Sequence, residues 1–334
     1  MSDEWRPLIV FASALVAGGV LSHYAPRWLP PSEPEDPFEA RNSKRPVRNL
    51  NVPRVGGFAV LVALFFAGVP LPWFALSAAL LLGAIDDRWP LSAGLKALGQ
   101  LVPAALLAWQ MGELAGDSGG AVLQTWLWVL PLAWAAQNIV NTWDHADGFV
   151  CGLAGIGLPP PVAAAFLGVL PWNLLLRKPT ADGSNSSQAE SPEAASTART
   201  KTLSERLSTE RDPGEAPDEP HLYLGDAGAH LAAILFVWHP IGRWFLVLPA
   251  LDLLRVVILR LRANHPIWKG DRRHLGHHLQ GLGWPPKYVA VAALIPAAPL
   301  LGAAGWGVMA ALSCGILWAC LLWAAQPMSG AERS

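Results

Sequence analysis

The sequence predicts an all-α fold, a polytopic bundle of transmembrane helices with about nine to eleven membrane segments, several of whose apolar runs fall short of the ~20 residues of a full span and extend into less apolar flanks. Three observations predict it. Of the 334 residues, 52% are hydrophobic and only 15% are charged. The charged residues collect between long apolar runs, the pattern of a chain that crosses lipid repeatedly. Seventeen tryptophans suit belts at the two membrane–water interfaces. The formal net charge is −1, so no bulk attraction to nucleic acid is implied. Cys151, Cys314 and Cys320 lack metal-ligand spacing and read as buried thiols.

The elements follow in order. An apolar run at 8–21 comes after Arg6, and with no convincing small-residue cleavage pattern behind it, it reads as a retained helix. Further spans are expected at 55–69, 71–85, 95–111, 121–137, 227–239, 241–261, 288–304 and 306–325. Charge sets the orientation. Arg41, Lys44, Arg45, Arg48 and Arg54 fill the loop after the first helix, and Arg262, Lys269, Arg272 and Arg273 fill the loop after 241–261. Both loops should face the cytoplasm, and the 112–120 loop, without Lys or Arg, fits the outside. The stretch 149–176 must then leave and re-enter the same side. Leu158-Pro159-Pro160-Pro161 interrupts it, giving a compressed or re-entrant hairpin whose backbone protein must shield. Residues 178–222 are rich in Ser, Thr, Glu, Ala and Pro and read as a disordered cytoplasmic insertion. Residues 1–177 and 223–334 then form a single membrane domain.

The chemistry gathers at the cytoplasmic helix ends. Asp86-Asp87 closes one apolar segment. Two adjacent carboxylates at a helix C-terminus repel each other and oppose the helix dipole, so a cation or basic side chain is expected beside them. Pro53-Arg54-Val55-Gly56-Gly57, Lys96 with Gln100, the run from Asn138 and Asn141 through Asp144 and Asp147 to Gly148, and Gly225-Asp226-Ala227-Gly228 join them. The basic loop adds Asp271-Arg272-Arg273-His274-Leu275-Gly276-His277-His278. Plainer readings exist for each. Asp226 and Asp147 suit helix N-caps. Asn138 and Asn141 suit helix-end hydrogen bonding, Lys96 a snorkelling lysine, and Arg54 a positive-inside anchor. Gly56-Gly57 suits tight helix packing as well as close substrate approach.

In their order and topology these motifs resemble the polyprenyl-phosphate N-acetylhexosamine-1-phosphate transferase family, from about residue 36 to 290 with the insertion excluded. The resemblance implies transfer of a HexNAc-1-phosphate from a UDP-sugar to polyprenyl (undecaprenyl) phosphate with release of UMP. It implies Mg²⁺ or Mn²⁺ at a cytoplasm-facing site in the bacterial inner membrane and a product that starts a lipid-linked envelope glycan; a homodimer is compatible with it. Asp226 matches the family's metal ligand, and Asp86 and Asp87 match the acidic pair assigned to metal binding or to activating the lipid phosphate. Asn141, Asp144 and Asp147 match polar positions of its NxxNxxDGxDG motif, with Asn138 at the motif's start. Lys96 matches a basic position that could hold phosphate, and His274 and His277 match its histidine-rich loop, associated with the nucleotide-sugar; Arg272 and Arg54 could add phosphate contacts. The chain departs from the pattern at Asn51, His145, Ala229 and Gly276. An inactive or altered-specificity member acting as a membrane scaffold is therefore one alternative. An ion-coupled transporter is another, although the acids cluster at one face rather than at the midplane.

Overall fold

The computed structural model describes residues 3–28, 52–116, 119–144, 148–174, 176–177, 219–266, 274–281, 284 and 286–324. Among these the fold is helical, apart from one two-residue strand pair. The helices are α1 (Arg6–Trp28), α2 (Gly56–Leu64), α3 (Trp73–Arg88), α4 (Ala93–Gly99), α5 (Leu101–Ala115), α6 (Gly119–Asn141), α7 (Phe149–Gly157) and α8 (Pro160–Leu174). They continue with α9 (Gly225–Trp238), α10 (Gly242–Phe245), α11 (Val247–Arg262), α12 (Leu275–Gly281), α13 (Pro286–Leu294) and α14 (Ala303–Ala324).

Local chemistry sets the boundaries nearest the site. α3 ends where Trp89 turns extended ahead of Pro90, since a residue before proline is driven out of the helical region. Ser92 then starts α4, its hydroxyl accepting from the Leu95 N–H at 3.4 Å. α4 and α5 run almost continuously, Gln100 N–H donating to Lys96 O at 3.0 Å.

Several expected spans appear in altered form. The 241–261 segment divides into α10 and α11 at Leu246. The 288–304 segment passes from α13 into a 3-10 helix, Ile295–Gly302, carrying Pro296 and Pro299, which cannot supply helical N–H donors. The 149–176 stretch is a helical hairpin, α7 against α8, broken at extended Leu158 before Pro159. Most of α7 is buried, including Phe149, Val150, Leu153 and Ala154, so protein shields the short arms. Cys151 and Cys314 are buried as expected, but Cys320 is exposed on the outer side of α14.

α9 is the hub. All but Asp226 and Trp238 of its residues are buried, and it packs against α2, α3, α5, α6, α7 and α10. Around it the outer surface is apolar: Leu81 is 62% exposed, Leu127 69% and Ile316 64%. Extended apolar exposure of this kind marks a surface that meets something other than water. Two helical runs, Arg6–Ala25 and Tyr288–Trp323, are long and apolar enough to cross a membrane, each with mean hydropathy 1.8.

The strand pair joins Leu176 to Pro220 and Arg177 to Glu219, antiparallel. His221 to Leu224 then continue into the core, with the Leu222 N–H donating to Trp172 O at 3.2 Å. Residues 219–222 thus belong to the folded unit rather than to the insertion, whose remainder, 178–218, lies outside the described residues.

Candidate active site

Glycines bring the site together. Gly56 N–H donates to Tyr223 O at 3.0 Å and Gly57 N–H to Leu224 O at 3.1 Å, laying the start of α2 along the entry to α9. A Cβ on Gly57 would strike the backbone of Gly228, and one on Gly83 the backbone of Asp226 and Ala227. These contacts place Gly56-Gly57 in backbone packing and press α3 onto the first turn of α9. Gly225 opens that turn with φ +75°, a conformation suited to glycine, and a side chain there would strike the Asp87 carboxylate.

The acidic pair divides its work. Asp87 Oδ1 and Oδ2 accept the Asp226 and Ala227 N–H groups at 3.1 and 3.2 Å. It thereby satisfies orphan donors at the positive end of α9 from another helix. The Arg54 guanidinium stands 3.9 Å from Asp87 Oδ1. Asp86 faces the other way: its Oδ1 accepts from Leu91 N–H at 2.6 Å, and its Oδ2 lies 2.5 Å from Lys96 Nζ. Lys96 also donates to Asp226 Oδ2. Asn141, with its amide oriented to satisfy both neighbours, donates to Asp226 Oδ1 at 2.7 Å and accepts from Lys96 Nζ at 2.8 Å.

Five predicted residues therefore meet: Asp86, Asp87, Lys96, Asn141 and Asp226. Lys96 is pinned between carboxylates rather than snorkelling, and the Asp226 side chain reaches across to it rather than capping its own helix. Asp144 follows α6 in a turn and lies within electrostatic reach of Asp87. Asn138 sits one turn deeper on α6, donating to Trp134 O of its own helix at 3.1 Å and to Gln100 Oε1 at 2.7 Å, and the second bond ties α6 to the α4–α5 junction. Asp147 and Arg272 lie outside the described residues.

Among the described residues of this cluster, the carboxylates Asp86, Asp87 and Asp226 outnumber the cationic side chains Arg54 and Lys96 by one, an acidic excess. That excess, with carboxylate and amide oxygens as donors, suits a hard divalent cation. Among the described residues, however, no three His, Cys, Asp or Glu side chains stand together ready to bind a metal. The Lys96 ammonium stands between Asp86 and Asp226 instead. The fit to a metal thus rests on the donor chemistry and the charge.

His274 belongs to a second polar cluster. Its Nδ1 lies 2.9 Å from Asp252 Oδ2, deep in α11, and the His277 ring centroid is 6.5 Å from its own. The sequence reading passed over Asp252, although an acid inside the apolar run of α11 is itself a signal of function. It also passed over Asn173. That buried amide accepts from Gly148 N–H at 2.6 Å and donates to Leu222 O at 3.1 Å, joining the end of the Asn138–Gly148 motif to the approach to α9.

The chain matches no protein-family model. It is similar to the undecaprenyl-phosphate alpha-N-acetylglucosaminyl 1-phosphate transferase of Escherichia coli K12, 25% identical over 294 residues, covering 78% of this chain and 73% of that protein. The decaprenyl-phosphate N-acetylglucosaminephosphotransferase of Mycobacterium leprae is 28% identical over 298 residues, covering 72% of this chain and 69% of the relative. The Yersinia pestis undecaprenyl-phosphate enzyme is 25% identical over 282 residues, covering 75% and 71%. The resemblance carried by the motifs therefore extends over about three quarters of the chain.

Proposed function

We propose that this relative of the polyprenyl-phosphate N-acetylhexosamine-1-phosphate transferases carries out the same class of reaction. UDP-HexNAc and polyprenyl phosphate give polyprenyl-diphosphate-HexNAc and UMP. An oxygen of the lipid phosphate attacks the β-phosphorus of the UDP-sugar, and the bond from that phosphorus to the bridging oxygen breaks, so the oxygen leaves on UMP. One observation carries the reading: Asp86, Lys96, Asn141 and Asp226, from four helices, converge on one polar point beside Asp87.

Each group has a task in such a reaction. Both substrates are anionic, so the site must offer positive charge to phosphate oxygens. Lys96 and Arg54 provide it, the planar guanidinium of Arg54 suiting two oxygens at once. Asp226 and Asp86, with the Asn141 amide, are the groups that would hold a Mg²⁺ or Mn²⁺ ion. Such an ion neutralises phosphate charge and orients the reacting oxygens. Asp87 already serves two backbone donors, which leaves Asp86 as the member of the pair that works on substrate. Asp144 and Asp147 add negative charge near the ion, and Arg272, His274 and His277 grip the nucleotide-sugar.

The membrane setting is part of the proposal. The apolar exterior fits a multi-pass protein in the bacterial inner membrane, with about nine to eleven segments counted from the apolar runs of the sequence. The basic loops of the sequence support a cytoplasmic face for the acidic cluster, where UDP-sugars are found. The test is UMP release by the purified full-length protein with undecaprenyl phosphate, Mg²⁺ and a panel of UDP-sugars, UDP-GlcNAc first. Release that needs lipid and metal and falls by about a hundredfold or more in Asp226→Asn is expected. A folded protein that releases no UMP from any donor overturns the proposal.

A further inference from the structure

The buried face of α11 carries Leu248, Asp252, Val256 and Arg260, one residue per turn. Asp252 is fully buried within this stripe. A carboxylate taken out of water is tolerated when several donors surround it. Asp252 has three: Arg255 Nη2 at 3.2 Å, the Leu275 N–H at 3.2 Å from Oδ1, and His274 Nδ1 at 2.9 Å from Oδ2. Two of these come from the chain at the start of α12. One carboxylate thus accepts an N–H at the start of that helix and holds the imidazole beside it. The His274 side chain is 8% exposed, so protein groups rather than bulk water set its orientation.

An ionised carboxylate only accepts hydrogen bonds, so a ring nitrogen bonded to it must carry the proton. We infer that Asp252 is the positioning residue for His274: it holds the Nδ1–H and so fixes Nε2, on the far edge of the ring, as the acceptor that meets a hydroxyl or N–H group of the nucleotide-sugar. The inference rests on the transferase reading above. It makes the cluster on α11 and α12 the donor half of the site, complementing the acidic cluster around α9. Asp252 touches no substrate and acts through His274. The outer partner of a functional imidazole works in this way, by fixing tautomer and ring orientation.

The experiment measures kcat and KM for UDP-GlcNAc with the full-length protein, Asp252→Asn, His274→Ala and the double variant. Asp252→Asn keeps an oxygen for the Leu275 N–H, so α12 retains its anchor. It is expected to raise KM about tenfold or more, the usual range for loss of such a partner, with kcat changed far less. In the His274→Ala background the same change is expected to alter kcat/KM by less than about twofold, because coupled residues are not additive. Losses that add independently, or a fall in kcat with KM unchanged, overturn the inference. ¹⁵N spectra of histidine-labelled protein give a readout that needs no turnover. They should show the Nδ1–H tautomer for His274 in the parent and in Asp252→Glu, and its loss in Asp252→Asn. An Nε2–H tautomer in the parent overturns the inference whatever the activity. A parent without transferase activity removes the transferase reading and with it the proposed role, while the spectra still decide whether Asp252 holds the ring.

Discussion

Asp86 and Asp87 are neighbours in sequence and opposites in role. Asp87 closes the first turn of α9 with both carboxylate oxygens, whereas Asp86 turns to Lys96. Replacing Asp87 by Asn leaves one oxygen for two N–H donors. Asp87→Asn should therefore destabilise the fold by about 0.5–2 kcal/mol, the range for losing a helix N-terminal acceptor, read as a lower unfolding midpoint in detergent. Asp86→Asn takes one carboxylate from Lys96, which keeps Asp226, and should lower kcat by on the order of a hundredfold. An unchanged kcat in Asp86→Asn, or a parent-like midpoint in Asp87→Asn, would contradict the assignment. The cost of two adjacent acids was legible in the sequence, since nothing local offsets it. Their division of labour was not, because the donors that engage Asp87 lie 139 and 140 positions further along the chain. Asp252 was hidden for a similar reason: its histidine partner is 22 residues ahead in the chain.

Glycine contacts between helices hold the cluster together at the scale of elements. Gly83 lets α3 lie directly on the Asp226–Ala227 backbone. Gly83→Ala would force the two helices apart or strain them, at a cost of about 1–3 kcal/mol, and would separate Asp86 from Asp226. The expected result is a lower unfolding midpoint together with lost UMP release; a variant of unchanged stability and activity would show that this close approach does not set the site. Most helices were legible as apolar runs bounded by proline, glycine or charge, as at Trp89-Pro90 after α3. The division of 241–261 was not. Arg243 Nε reaches back to Val237 O at 2.8 Å, and its guanidinium lies 4.5 Å from the Trp128 ring centroid, so tertiary contacts accompany a break that periodicity does not show.

At the scale of the whole molecule, the chain on either side of 178–218 meets in one strand pair. Arg177 pairs with Glu219, so a two-residue turn could close the chain where 178–218 now stand. Replacing 178–218 by Asn-Gly should leave the unfolding midpoint and UMP release close to those of the parent. Loss of activity in a stable variant would give the insertion a task in catalysis. The excess of negative charge over the acidic cluster leads to another whole-protein expectation. Chelation should abolish transfer, and added Mg²⁺ or Mn²⁺ should restore it; activity that persists in chelator would remove the metal from the account. A transporter or scaffold built on the same bundle would show no such turnover.

The central claim is phosphoryl transfer from the β-phosphorus of a UDP-sugar to a lipid phosphate. UDP-GlcNAc labelled with ³²P at the β-phosphate tests it most directly, using purified protein, undecaprenyl phosphate and Mg²⁺. The account predicts that label moves into the organic-extractable lipid while the released nucleotide is unlabelled UMP. Label retained in released UDP, or no label in lipid from folded protein, would contradict it.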